Sequence, residues 1–262
     1  AVVGADGQLP LPWLEAPFLQ ALSLGTSHAL LLFGPEGVGQ FELALVLAQA
    51  QLCEAAPPSD RIRRPCGTCA SCRLFAAQTH PDAMVVLPDA LRDALGWHGS
   101  DSALDEAGTA STSRAKPSKD IRVDDIRAII AFAQSSSARG RGKVVVVHPA
   151  ERMNSIASNA LLKTLEEPAA NTALILVADD PARLPATIRS RCQRIDLRPP
   201  DLTSARAWLI AQGAASGVAD EVLLLSDGNP GAALAMTKAD ATHVLDTLIQ
   251  DMADAAAGRG SL

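Results

Sequence analysis

Residues 34–41 read Gly-Pro-Glu-Gly-Val-Gly-Gln-Phe, a stretch close to the phosphate-binding loop motif G-x-x-x-x-G-K-[ST]. In that motif, glycines let backbone N–H groups curl around a phosphate, the Lys contacts the outer phosphates, and the hydroxyl binds Mg²⁺. Here Gln40 stands in place of the Lys and Phe41 in place of the hydroxyl. The glycines that shape the loop remain, namely Gly34, Gly37 and Gly39. The sequence therefore predicts a vestigial phosphate loop that keeps its bend without its two chemically active side chains.

The loop lies between a predicted strand and a predicted helix, which is the context that the motif needs. The apolar run Ala29–Phe33 predicts the strand, and residues 41–53 predict the helix. Four further short apolar runs predict strands at residues 83–87, 144–147, 173–178 and 194–197. Several of these runs are apolar throughout, which indicates strands covered on both faces. We therefore expect an α/β fold with a mostly parallel, five-stranded sheet and helices on each side.

The composition changes after Pro199, and this change predicts a second domain. Three short helical segments follow with no strand between them, at residues 202–212, 219–226 and 230–238. We expect residues 1–198 to form the α/β domain and residues 199–239 a small, all-helical lid domain. A further helix begins near Ala241, so residues 240–262 are expected to start a C-terminal domain that has been cut off.

Residues 91–119 interrupt the pattern of the α/β domain. Most of this segment consists of Ser, Thr, Asp, Ala and Gly with little apolar content. Such a composition cannot bury enough apolar surface to hold one conformation. We predict a flexible surface insertion here.

The bulk composition excludes several classes of protein. The chain has 262 residues and 48% of them are hydrophobic, which is enough to build one large or two modest domains. A formal net charge of −6 argues against a general polyanion binder. No apolar run of about 18 residues and no basic leader is present, so we expect neither a membrane span nor a signal peptide. Five cysteines, four of them clustered, fit a metal site in a reducing cytoplasm better than a disulfide framework.

Four cysteines have the spacing of a zinc site: Cys53, Cys66, Cys69 and Cys72. Two overlapping C-x₂-C pairs follow a loop that starts at the first cysteine, so four thiolates can close a tetrahedron. Four sulfur ligands with no open position favour a structural Zn²⁺ over a catalytic one. A redox C-x-x-C, free thiols and an iron–sulfur cluster are the alternatives. Cys192 is far away in sequence and is expected to be a packed residue rather than a fifth ligand.

A second element of a nucleotide site is also altered. The strand at residues 144–147 should end in acidic residues that hold Mg²⁺ and orient the attacking water. It ends instead in His148-Pro149, and proline cannot act as an acid, a base or a ligand. Glu151 follows on a chain turned by Pro149, which makes it a poor substitute. We expect His148 to be a packed or solvated ring rather than a metal ligand.

Several motifs together carry a resemblance to a known family. The first is Ser-Asn-Ala-Leu-Leu-Lys-Thr-Leu-Glu-Glu-Pro at residues 158–168, and the second is Ser190-Arg191-Cys192. Thr-His-Pro-Asp at residues 79–82, the cysteine cluster and Gly-Asn-Pro-Gly-Ala-Ala-Leu at residues 228–234 extend the match. The chain resembles the bacterial clamp-loader subunits of the AAA+ class, most of all the delta-prime subunits of DNA polymerase III. The resemblance covers roughly residues 10–240 without the insertion.

The resemblance implies that this chain does not hydrolyse ATP. Subunits of that family that do so carry a Lys, a Ser or Thr, an Asp-Glu pair and an arginine in the lid. This chain has Gln40, Phe41, His148-Pro149 and Gly231 at those places. We therefore expect no functional ATP or Mg²⁺ site, although a phosphate or sulfate held by the loop backbone would be compatible with this reading.

The motif Ser190-Arg191-Cys192 has a separate implication. In related clamp loaders this arginine projects toward the ATP of a neighbouring subunit, where a guanidinium meets charge that develops on the γ-phosphate. The resemblance therefore predicts that Arg191 is an arginine finger acting in trans. The alternative is that Arg191 pairs with a local carboxylate such as Asp196. In the helix before it, Leu161 and Leu165 are expected to face the core, and Glu166 to face a partner subunit.

The expected partners follow from the same resemblance. They are the gamma/tau ATPase subunits and the delta subunit of a DNA polymerase III clamp loader, with the sliding clamp and primed DNA reached through the assembly. An active P-loop ATPase is one rival interpretation. A zinc-containing module that binds nucleic acid is the other, although only 3% of residues are aromatic, which leaves little surface for base stacking.

Overall fold

The computed structural model describes residues 2–24, 28–55, 65–97 and 117–239. These residues fall into two compact units. Of the described residues, those within 2–34 and 39–197 form the larger unit, and those within 35–38 and 198–239 form the smaller unit. The predicted C-terminal segment 240–262 and residues 98–116 of the predicted insertion lie outside the described residues.

The larger unit is built on a five-stranded sheet, as predicted. The strands are β1 Ala29–Phe33, β2 Ala83–Val86, β3 Lys143–Val147, β4 Thr172–Ala178 and β5 Gln193–Asp196. Their order is β2-β3-β4-β1-β5, and all four pairings are parallel. The central strands β3 and β4 are buried along their whole length, whereas the edge strand β5 has a single buried residue. The apolar runs of the sequence thus belong to the middle of the sheet, where helices cover both faces.

Seven α-helices accompany this sheet in the described residues. They are α1 Glu15–Ser23, α2 Gln40–Leu52, α3 Ala70–Ala76, α4 Asp89–Leu95, α5 Val123–Gln134, α6 Ser155–Glu166 and α7 Ala186–Arg189. Helix α2 contacts β1, β3 and β4 and is buried on nearly all sides. Helices α5 and α6 pack together on the alternate side chains of the same strands, in one apolar core with Leu31, Val145 and Leu174. Because successive strand residues point to opposite faces, α2 and the α5–α6 pair cover opposite faces of the sheet.

Helix α6 shows how local sequence sets the ends of an element. Asn154 caps its first turn by accepting a hydrogen bond from the amide of Ala157 at 2.8 Å. Leu161 and Leu165 are buried, which confirms the predicted core face. The helix ends at Glu166, two residues before Pro168, as the missing N–H of proline predicts. The motif at residues 158–168 therefore packs one face of α6 against the core, while Asn159, Lys163 and its two glutamates are exposed.

The sequence assigned residues 91–97 to the insertion, but the structure folds them. Residues 91–95 belong to α4, which ends at Gly96 with a left-handed φ of 60°. Trp97 is buried and its ring centroid lies 5.7 Å from that of Phe75. The helix is too short to show a clear period, and its contribution to the core comes from the single tryptophan that follows it.

The smaller unit contains the three predicted helices, α8 Leu202–Ala211, α9 Ser216–Leu225 and α10 Pro230–Lys238. Their facing side chains form a small apolar core that includes Leu209, Val222 and Ala233. Asn229 caps α10 and Pro230 occupies its first turn, so the signal read from the sequence sets this boundary. Among the residues that the structure describes, no helix has the length and apolar character needed to cross a membrane.

Candidate functional site

Gln40 closes the vestigial phosphate loop from within the larger unit. Its side chain is 3% exposed. The amide nitrogen donates to the carbonyl oxygen of Gly34, and the amide oxygen accepts from the backbone N–H of Gly39 at 3.1 Å. A phosphate bound in such a loop would compete for that N–H. The residue that replaces the Lys thus ties the two ends of the loop to each other.

The middle of the loop belongs to the smaller unit. Asn229 donates from its side chain to the carbonyl oxygen of Glu36 at 2.7 Å. Gly231, at the start of α10, lies directly against Gly37, so a Cβ on Gly231 would come within 2.5 Å of the Gly37 backbone. The position to which the resemblance assigns a lid arginine therefore has no room for a side chain in this arrangement.

Phe41 and His148, which the sequence motifs align with a Mg²⁺-binding hydroxyl and acid, contact each other. Although they are 107 positions apart in sequence, their rings stack with centroids 4.9 Å apart and an interplanar angle of 21°. Both side chains are buried, and Trp97 meets the edge of Phe41 at 6.5 Å between centroids. The two substitutions that looked independent in the sequence form one packed aromatic contact.

His148 is held as a neutral ring. Burial lowers its pKa from 6.5 to about 4, against a smaller opposing effect of a hydrogen bond to the backbone of Val177. Its Nδ1 is buried and has no hydrogen-bond partner among the described residues. Of the packed or solvated ring that the sequence predicts, the structure shows the packed form, stacked on Phe41.

Glu151 forms hydrogen bonds to the backbone of its own chain. One carboxylate oxygen accepts from the amide of Asp179 at 2.9 Å and from that of Asp180 at 3.4 Å. This oxygen therefore fixes the turn that follows β4. The geometry agrees with the expectation that Glu151 is a poor substitute for a Mg²⁺-binding acid.

The four predicted cysteines come together at the end of α2 and the start of α3: Cys53, Cys66, Cys69 and Cys72. Their sulfur atoms all lie within 4.8 Å of one another. The sulfurs of Cys53 and Cys69 are 3.9 Å apart, and so are those of Cys66 and Cys72. Four sulfurs about 2.3 Å from a central Zn²⁺ would be separated by ~3.8 Å in a tetrahedron. The donor set and its spacing therefore fit zinc.

Backbone amides favour the ionised form of these sulfurs. The amide of Cys69 donates to Cys66 Sγ at 3.3 Å, and that of Cys72 donates to Cys69 Sγ at 3.4 Å. Burial opposes ionisation of Cys66, but the amides of Cys69 and Thr68 outweigh it and lower the pKa of this thiol to about 6. Burial raises the pKa of Cys72. Amide N–H donors toward sulfur suit a metal-bound thiolate, which is the form that zinc requires.

Cys192 lies elsewhere, against the apolar core under α5 and α6. Burial raises the pKa of its thiol to about 11. A partly buried thiol with a raised pKa reacts poorly, so the expectation of a packed residue fits the structure.

A buried polar network attaches the cysteine cluster to the sheet, and the sequence did not reveal it. Ser71, in α3, donates to the carbonyl oxygen of Leu52 at the end of α2, at 2.6 Å. Its oxygen also lies 2.7 Å from His80 Nε2. His80 Nδ1 accepts from the amide of Asp82 at 3.0 Å, which leaves Nε2 as the donor to Ser71. His80 therefore cannot take a proton from Ser71, and this pair is a structural link rather than a nucleophile and its base.

Asp82 completes the network. Its carboxylate accepts from the amides of Ala138 at 2.7 Å and Arg139 at 2.8 Å. It also accepts from the hydroxyl of Ser137 at 3.0 Å. The motif at residues 79–82 thus has a physical meaning, since its His holds the cysteine module and its Asp holds the loop before β3.

Arg191 pairs with a local carboxylate, but the partner is Glu166 and not Asp196. Its Nε lies 2.7 Å from Glu166 Oε1, and one terminal nitrogen also contacts that oxygen. The other terminal nitrogen donates to the carbonyl oxygen of Thr187 at 2.8 Å. The side chains of Arg191 and Glu166 are 33% and 49% exposed. The ion pair therefore lies at the surface of the larger unit and joins two motifs that the sequence showed only separately.

Known proteins resemble this chain over most of its length. A sequence family described as DNA polymerase III, delta subunit, matches residues 20–201. The chain is 34% identical over 222 residues to DNA polymerase III subunit delta' of Pseudomonas aeruginosa, which covers 84% of this chain and 58% of that protein. It is 33% identical over 247 residues to subunit delta' of Escherichia coli K12, covering 92% and 65%. DNA polymerase III subunit tau of Escherichia coli K12 is 33% identical over 189 residues, covering 72% and 24%. The chain thus spans less than two thirds of the length of these delta' relatives.

Proposed function

Because the chain belongs to the delta-prime family of DNA polymerase III subunits, within the AAA+ clamp-loader class, we propose that it is a non-hydrolysing clamp-loader subunit. In this role it supplies Arg191 in trans to ATP on a neighbouring ATPase subunit. It thereby helps the assembly to load a sliding clamp onto primed DNA during replication.

The stack of Phe41 on His148 carries the proposal that the subunit does not hydrolyse ATP. A Mg²⁺ site needs hard oxygen ligands and water, and the stack puts two buried rings at those positions. Gln40 supports the same conclusion because its side chain is a neutral amide that forms hydrogen bonds to the backbone of its own loop. Loss of one charge-assisted contact to phosphate costs about 1.5–3 kcal/mol, and loss of the Mg²⁺ ligands removes transition-state stabilisation as well.

The surface position of Arg191 supports its role as a finger. Its guanidinium is always charged and its planar fork matches the oxygens of a phosphate. The residue follows the short helix α7, whose Ile188 is fully buried, so the backbone under the arginine is anchored in the core. A guanidinium that is anchored at its base and partly exposed at its tip suits a ligand held by another chain.

The expected partners are clamp-loader subunits of the same polymerase. Relatives of this chain include proteins named as tau as well as delta' subunits, so we propose gamma/tau ATPase subunits and the delta subunit as direct partners. As part of the DNA polymerase III holoenzyme, the protein would belong to a DNA-directed DNA polymerase without being an enzyme by itself. A cytoplasmic location suits this role and the thiolate cluster.

The test of the finger is Arg191→Ala in the full-length subunit, assembled with its ATPase partners. We expect ATP hydrolysis and clamp loading to slow by at least about tenfold, because a guanidinium no longer meets the γ-phosphate. Arg127→Ala is the matched control, since Arg127 also forms an exposed ion pair, with Asp124 at 2.8 Å on α5. Unchanged ATP turnover by an intact complex with Arg191→Ala would remove the finger assignment.

A further inference from the structure

The Arg191 side chain is held in place before any partner is bound. Its Nε and one terminal nitrogen contact Glu166 Oε1, and the other terminal nitrogen contacts the Thr187 carbonyl oxygen at 2.8 Å. That second terminal nitrogen also lies 3.4 Å from the hydroxyl oxygen of Ser190. All three guanidinium nitrogens therefore have a partner from their own chain.

We propose that Glu166 is a positioning residue for Arg191, which sets the direction in which the guanidinium faces the neighbouring nucleotide. This inference rests on the proposed function, because it concerns how the finger reaches its target. A free arginine side chain loses rotamer entropy when it binds. A side chain that is already held loses less when it meets a phosphate.

The two residues stand on a rigid base. Glu166 is the last residue of α6, directly after the buried Leu165. Thr187 lies in α7, directly before the fully buried Ile188. Helices α6 and α7 pack against each other, which brings the Glu166 carboxylate and the Thr187 carbonyl to the same guanidinium.

The grip leaves part of the guanidinium for a second ligand. Arginine has five N–H donors in a planar fork, and the terminal nitrogen on the Glu166 side carries two of them. Glu166 Oε1 contacts Nε and one terminal nitrogen, and the Arg191 side chain as a whole stays 33% exposed. Because the guanidinium never loses its proton, it can contact a carboxylate and a phosphate at the same time.

The two acidic residues near the end of the motif at residues 158–168 differ in their contacts. Glu166 contacts Arg191, whereas Glu167 is the exposed C-cap of α6 and makes no contact with Arg191 in the structure. Glu167→Ala therefore removes the same charge one residue away and leaves the grip on Arg191 untouched.

The test measures ATP hydrolysis by the reconstituted complex containing the full-length subunit with Glu166→Ala, Glu166→Gln or Glu167→Ala. We expect Glu166→Ala to lower kcat by about threefold to tenfold with an unchanged KM for ATP, since orientation and not nucleotide binding is lost. Glu166→Gln should recover most of the rate because its amide oxygen can still accept from Nε. Glu167→Ala should behave as the unaltered protein. The melting temperature of the subunit should stay the same in all three, because exposed ion pairs add little stability.

The double variant Arg191→Ala with Glu166→Ala distinguishes the possible failures. If Glu166 acts only through Arg191, the double variant is no slower than Arg191→Ala alone. An additive loss, an unchanged rate with Glu166→Ala, or a faster rate would each overturn the positioning role. If Arg191→Ala has no effect, the finger assignment fails and the positioning role fails with it. If Arg191→Ala is slow while Glu166→Ala is normal, the finger stands and only the positioning role is lost.

Discussion

At the scale of single residues, the side chains that replace the motif residues of the phosphate loop make contacts of their own. Gln40 ties the ends of its own loop, and Phe41 stacks on His148. A Lys at position 40 would have to place a charge where a 3% exposed amide now sits.

The stack on Phe41 makes His148 a determinant of acid stability. Its pKa is lowered from 6.5 to about 4 by burial, so between these values the unfolded chain binds a proton that the folded chain does not. Stability is therefore full above pH 6.5 and is lost as the pH falls toward 4. Acidification from pH 7 to pH 5 should cost about 2 kcal/mol through this residue.

The measurement is the free energy of unfolding by urea at pH 7 and pH 5, for the unaltered protein and for His148→Phe. The variant keeps an aromatic ring against Phe41 and lacks the titrating group, so its stability should fall less on acidification. His28→Gln, which alters an exposed histidine, is the control and should fall as much as the unaltered protein. Equal losses for His148→Phe and the unaltered protein would contradict this account.

At the scale of elements, the cysteine module depends on its attachment to the sheet. The spacing of the cysteines predicted the cluster, but His80 and Ser71 are what fix α3 against the end of α2. The proposed Zn²⁺ has no reaction to perform, because four sulfurs would fill its coordination shell. Its expected effect is to hold the segment between Cys53 and Cys72 in place.

Removal of zinc should therefore lower the melting temperature of the protein, and so should loss of the link that supports the site. We expect His80→Ala to destabilise the protein by about 2–3 kcal/mol, because Ser71 and the Asp82 amide lose a buried partner. It should also speed the transfer of zinc to a colorimetric chelator. Thr79→Ala, next to it and exposed, is the control. Metal analysis that finds less than about half a zinc per chain in carefully prepared protein, or a melting temperature unaffected by chelation, would count against the site.

At the scale of the whole molecule, the chain keeps a parallel sheet with a glycine loop, while Gln40, Phe41 and His148 replace the residues that the motif provides for a nucleotide. The parallel sheet, the loop after β1 and the helical unit are all present. Under the proposed function, such a chain contributes to an assembly by its shape and by the groups that it presents to its neighbours. Its net charge of −6 makes direct binding of DNA by the isolated chain an unfavourable explanation of its role.

The purified subunit should accordingly neither bind nor hydrolyse ATP. Isothermal titration with Mg-ATP should show no binding in the micromolar range, because the Mg²⁺ position is closed by Phe41 and His148 and the loop by Gln40. A tau-type ATPase subunit measured in the same buffer is the positive control. Micromolar binding accompanied by turnover at an enzyme-like rate would support the rival interpretation of an active ATPase.

Local sequence was sufficient to predict much of this protein. Three kinds of feature depend on neighbours within a few residues. They are the apolar runs that predict strands, the helix ends at Asn154, Pro168 and Asn229, and the spacing of the four cysteines. Interactions of this range are the ones that periodicity and capping rules describe. The replacements in the phosphate loop were visible for the same reason, because the motif is contiguous.

Tertiary structure alone determined the contacts between residues that are far apart in the chain. Phe41 stacks on His148, and Ser71 bonds to the end of α2. Arg191 pairs with Glu166, although Asp196 is nearer to it in sequence. Sequence separation does not rank these partners, because the packing of α2 on the sheet and of α7 on α6 determines which side chains come within reach. A buried ring can pack on many apolar groups, and a surface arginine can pair with many carboxylates. The folded arrangement of the elements determines which of these groups lies within contact distance.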